Sequence, residues 1–153
     1  MLHFAALPGI LTAFFVPFAI GVLSYSKRKK AEQYYLDPHG TPGAFDPLLQ
    51  KYLHLAEYGI GLATGSIVLL IGSSLFHGKD GRLPPFYASP LLILAASVAT
   101  GVLFMAWLLL TYETVQHGNP HTAFAYSLSE TLGFSSLVLL LVGYVWLILA
   151  VTS

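Results

Sequence analysis

The chain of 153 residues has room for one domain and is 56% hydrophobic but only 9% charged, against roughly 25% charged in soluble domains. Seven basic residues balance seven acidic ones, and cysteine is absent. This excludes a polybasic nucleic-acid surface, disulfides, thiolate metal sites and a cysteine nucleophile; what remains is the composition of an integral membrane protein.

Four apolar runs lie at about 4–25, 59–76, 91–110 and 132–150. Each approaches the ~20 residues that cross about 30 Å of hydrocarbon at 1.5 Å per residue. The first predicts a helix over 4–26, with Pro8 and Pro17 as sites of entry or kinking. It has no basic residues before it and ends in Lys27-Arg28-Lys29-Lys30 rather than in a small-residue cleavage site. It is therefore expected to be a retained transmembrane helix, not a signal peptide.

Helix two is expected over 46–76, started by Asp46-Pro47. Helices three and four are expected over 89–117 and 119–150, started by Ser89-Pro90 and Asn119-Pro120. In each pair the first residue accepts a hydrogen bond from an orphan N–H, and proline follows where its missing N–H costs nothing. Helices two and four then begin with roughly three turns of mixed polarity before their apolar runs, enough to form walls of a site at the membrane surface. Gly61 and Gly65, four apart, would admit a neighbouring helix.

Basic residues orient the chain. The first loop region carries Lys27, Arg28, Lys29, Lys30 and Lys51, the second only Lys79 and Arg82. The first loop and the short turn at His117-Gly118-Asn119-Pro120 are expected to be cytoplasmic, with both termini opposite. The fold expected for the single domain 1–153 is all-α, an antiparallel four-helix bundle in the lipid bilayer. Glu57, Glu113 and Glu130 would then gather in one cytoplasmic layer, joined by His54, His117 and His121. A carboxylate costs roughly 2.5–3.5 kcal/mol at a bilayer centre, so such a layer calls for a partner or a purpose.

On helix two, Gln50, His54 and Glu57 fall at i, i+4 and i+7 and share one face, which Gly61 continues without a side chain. With Gly40-Thr41-Pro42-Gly43-Ala44-Phe45 before this stripe and Ser74-Leu75-Phe76-His77-Gly78 after it, residues 40–78 resemble the MAPEG family, the membrane-associated proteins of eicosanoid and glutathione metabolism. The helical layout resembles that family over the whole chain. The family's helix-two motif is Arg, three residues, Asn, two residues, Glu, then commonly Tyr. Glu57 and Tyr58 match it, His54 stands in the Asn place and Gln50 in the Arg place, with Lys51 one position off. Glu130 stands where the family usually has an Arg three residues before a Gly, here Gly133, and Glu113 and His117 replace the arginine-containing pattern of helix three.

The resemblance implies a homotrimer with sites between subunits near the cytoplasmic surface. It also implies glutathione as a ligand held in part by Glu57, with His54 donating in place of the Asn amide. The candidate ligand-binding residues are Gln50, Lys51, His54, Glu57, Tyr58, Tyr112, Glu113, His117, Tyr126 and Glu130, with no catalytic residue assigned among them. The function expected is binding of a lipophilic or amphipathic small molecule, with glutathione or thiol transfer as its chemistry. The alternatives are a non-catalytic scaffold or binding protein of the same fold, and a metal-dependent enzyme built on His54-x-x-Glu57 and Glu113-x-x-x-His117. The carboxylates beside Tyr58, Tyr112 and Tyr126 would also suit acid–base work. Ser127, Ser129, Ser135 and Ser136 lack the glycine context of a serine nucleophile and suit close helix packing.

Overall fold

The computed structural model describes residues 2–28, 46–73, 84–116 and 123–152. These form α1 (Leu2–Arg28), α2 (Asp46–Gly72), α3 (Ala88–Gln116) and α4 (Ala123–Thr152), with a 3-10 turn at Pro85–Tyr87 leading into α3. Each helix holds a stretch long and apolar enough to cross a membrane: Ala6–Ser26, Gln50–Gly72, Pro85–Thr114 and Phe124–Thr152. The chain is a multi-pass integral membrane protein built as a helical bundle. Its outer surface agrees, since large apolar side chains such as Phe14, Phe15, Phe18, Leu69 and Leu141 stand outward, as suits a lipid surrounding.

The start of α3 differs from expectation. Ser89 does not cap α3: the 3-10 turn begins the winding earlier, so Ser89 is the second residue of α3 and Pro90 the third. Proline is tolerated there because N–H groups of the first turn have no intrahelical acceptor. Ser89 is instead buried against α1, where a Cβ placed on Gly9 would lie 2.8 Å from the Ser89 Cα and carbonyl oxygen. The expected Asn119-Pro120 start of helix four lies outside the described residues. α2 stops at Gly72, short of the expected 76, where Gly72 and the serines after it favour an end over continuation. α1 runs unbroken through Pro8 and Pro17.

α3 and α4 share the most extensive contact in the bundle; α1 lies against both, while α2 packs chiefly on α3 and more lightly on α4. The α3–α4 seam is closed by two serines that bond reciprocally. Ser97 Oγ donates to the Ser136 carbonyl at 2.8 Å, and Ser136 Oγ donates to the Ser97 carbonyl at 3.2 Å. Each hydroxyl reaches the partner's backbone only because the helices approach closely, and small residues permit that approach. A Cβ on Gly143 would fall 2.8 Å from Leu94, and one on Gly101 3.0 Å from the Ser136 hydroxyl. Trp107 Nε1 adds a bond to the Ala125 carbonyl at 3.2 Å. Ile93, Leu94, Leu139 and Ala63 fill the interior between these ties.

Gly61 and Gly65, expected to receive a neighbouring helix, face open space: a Cβ on either meets nothing within 4 Å. Among the described glycines the close approaches are made elsewhere, at Gly9, Gly101, Gly133 and Gly143. Gly9→Ala should therefore lower stability in detergent by about 1–3 kcal/mol, because Ser89 backbone cannot move aside as a side-chain tip would. Gly61→Ala should leave stability unchanged or raise it, as helix propensity alone favours alanine by about 1 kcal/mol. Thermal melts of the two variants compare them directly, and equal losses would contradict this packing.

Ser135 supplies a second contrast. Its side chain is fully buried, and its Oγ has no hydrogen-bond partner. An orphan hydroxyl costs about 1–3 kcal/mol. Ser135→Ala should hold or raise the melting temperature, whereas Ser97→Ala should lower it.

Candidate functional site

The first two turns of the α2 span carry an ionisable pair. His54 Nδ1 lies 3.1 Å from Glu57 Oε2, and the two side chains are 67% and 58% exposed. The i,i+3 spacing brings them together on one helix face. An ionised carboxylate can only accept, so with Glu57 ionised this contact requires the hydrogen on Nδ1. Gln50, Lys51 and Tyr58 are also exposed, Tyr58 by 73%. The stripe seen in the sequence is therefore an outward-facing surface on α2, and among the described residues no second helix closes over it.

Glu130 has a different setting. It is half-buried on α4, and its Oε2 accepts a hydrogen bond from Ser24 Oγ of α1 at 2.6 Å. Ser127, one turn before Glu130, donates from Oγ to Ser24 Oγ at 3.2 Å. Ser24 and Ser127 are both buried. The result is a chain of donors, Ser127 to Ser24 to carboxylate, that ties the end of α1 to the beginning of α4. Gly21, one turn earlier on α1, lies beside the Thr131 side chain, so the two helices are close at this level. A hydrogen bond to a charged acceptor contributes about 1.5–3 kcal/mol, more than a neutral pair.

Of the remaining candidates, Tyr112 is half-buried, while Glu113 and Tyr126 are exposed. His117 and His121 lie outside the described residues. Among the described residues, Glu57 takes its polar contact from His54 on its own helix, and Glu130 takes one from α1. Of the three glutamates, one carboxylate points out from α2 and another is engaged between α1 and α4. No group of three or more His, Asp or Glu side chains placed to hold a metal ion occurs among the described residues.

Sequence reasoning passed over Ser24. A lone serine near the end of an apolar helix carries little signal, because its use depends on which residue of α4 stands opposite. The polar α2–α4 contact was missed for the same reason. Tyr144 OH donates to the Leu62 carbonyl at 2.9 Å and lies 2.6 Å from Ser66 Oγ, joining α4 to α2.

Comparison of the chain with protein-family models, with curated proteins and with solved structures finds no match.

A double-mutant cycle tests the α1–α4 tie. Ser24→Ala and Glu130→Gln should each lower stability in detergent, with a coupling energy of about 1 kcal/mol or more between them. Strict additivity would mean that the bond carries no energy.

Proposed function

We propose that this protein is a divergent MAPEG-like membrane protein that binds a lipophilic or amphipathic ligand beside the first turns of α2 and transfers a thiol, glutathione, to it. The carrying observation is the exposed His54–Glu57 pair within an otherwise apolar span. Ionisable side chains at membrane depth are costly when they face lipid and characteristically mark a ligand path or an interface. The bundle in this reading is antiparallel. Followed along α3 from Leu94 through Ser97 to Trp107, the facing positions on α4 fall from Gly143 through Ser136 to Ala125, which supports opposed helix directions.

The first loop and the α3–α4 turn are cytoplasmic in this reading, on the basic residues of the first loop. The assembly is a homotrimer, as the resemblance implies. Such an assembly would account for the uncovered α2 stripe: Gln50, Lys51, His54, Glu57 and Tyr58 of one subunit face Tyr112, Glu113 and Tyr126 of a neighbour. Glu57 receives the amino group of glutathione, and Lys51 and Gln50 meet its carboxylates at the mouth. Glu130 serves the bundle rather than the ligand, through Ser24.

A scaffold or binding protein of the same fold is the second reading, favoured by that structural use of Glu130 in the place of a family arginine. Calorimetry separates the two. Millimolar glutathione added to purified protein in detergent should give a saturable heat, weakened at least about tenfold, or 1.4 kcal/mol, by Glu57→Gln. Absence of heat with the protein folded would rule out thiol transfer from glutathione and leave the scaffold.

A further inference from the structure

Among the described residues, the His54–Glu57 pair makes no hydrogen bond to another helix. Among those residues it joins no two helices, and its geometry is set by the i,i+3 spacing on α2. Glu57 has only acceptors to offer while ionised, which places a hydrogen on Nδ1 of His54. In the neutral ring the other nitrogen, Nε2, then carries a lone pair. The 67% exposure of the His54 side chain leaves the ring open to an approaching group. A carboxylate bonded to one ring nitrogen also orients the ring and stabilises the positive charge that develops when the other nitrogen takes a proton.

We propose that His54 is the proton acceptor for a thiol held beside α2, with Glu57 as its positioning residue. This deepens the thiol-transfer reading and rests on it for the identity of the reacting group. In the step, the S–H bond breaks as its proton passes to Nε2, and the electron pair stays on sulfur. The neutral ring becomes imidazolium next to the Glu57 carboxylate. The thiolate then attacks an electrophilic carbon, a C–S bond forms, and the leaving group departs with the electrons of its own bond to that carbon. Imidazole supplies here by proton removal what a cationic side chain would supply by charge alone, and Gln50 carries no charge.

The protein has no cysteine, so every thiol signal in the test comes from the added probe. The first measurement is the side-chain nitrogen spectrum of histidine-labelled protein in micelles, at a pH where the ring is neutral, with His54→Gln to assign the resonance. His54 should hold its proton on Nδ1. Glu57→Leu should abolish that preference, and Glu57→Gln, which keeps an acceptor oxygen, should restore much of it. A wild-type ring with its proton on Nε2 overturns the proposal, whether or not glutathione binds.

The second measurement is the rate at which iodoacetamide alkylates a thiol in the presence of the protein, with release of iodide. Glutathione is one probe and a micelle-soluble alkanethiol the other. The wild type should accelerate alkylation of at least one of them, and His54→Gln should reduce that acceleration by about a hundredfold. Equal rates with wild type and His54→Gln for both thiols overturn the proposal. Acceleration of the alkanethiol alone supports proton transfer by His54 while removing glutathione as the substrate, so the two readings fail separately.

Discussion

In hydrocarbon a hydroxyl has no water to receive its proton and must place it on another protein group. The seam between α3 and α4 is built on that constraint. Ser97 and Ser136 each give their hydrogen to the backbone of the opposite helix, and the geometry is reachable only when the two backbones are close. Gly101 and Gly143 provide that closeness by offering no Cβ to Leu94, Ile60 or Ser136. Apolar packing then completes the seam but could not select its register, since lipid competes for leucine as well as protein does. Once α3 and α4 are fixed, α1 and α2 take their places against them.

The same constraint explains how the other helices attach. α1 presents almost nothing but apolar side chains, and its described bond to α4 runs through Ser24 to the Glu130 carboxylate. α2 is held to α4 through Tyr144, whose hydroxyl reaches the Leu62 carbonyl and meets Ser66. Polar groups thus act as fixed points and apolar groups fill the space between them. Ser135 is the exception, buried with no partner for its hydroxyl, and nothing else in the structure explains it.

The glutamates acquire different meanings on this framework. Glu130 offers a charged acceptor to the serine donor of α1. Among the described residues Glu57 has no such partner across a helix boundary, and it turns outward with His54. The carboxylate of α4 is thus used between helices, while the ionisable pair of α2 stands on the surface. Gly61 and Gly65, open on their outer side, leave room beside the span that carries the pair.

Helix number and approximate extent were legible in the sequence, because hydrocarbon thickness converts directly into a run of apolar residues. The face shared by His54 and Glu57 was legible too, since it follows from helical spacing alone. The start of α3 was not: Ser89-Pro90 has the composition of a cap, yet the preceding prolines wind a 3-10 turn, and Gly9 claims Ser89 as a packing surface. Which glycines receive a neighbour was equally hidden, because Gly61 and Gly65 have the spacing whereas Gly9, Gly101 and Gly143 have the contacts. The sequence by itself determined a membrane protein of four spans with an ionisable pair on one helix face. Only the tertiary structure decided that Glu130 belongs to Ser24 and that the His54–Glu57 pair faces outward. Local spacing sets where a side chain sits on its own helix; the partner it meets depends on the register between helices, which close backbone approach and hydroxyl bonding determine.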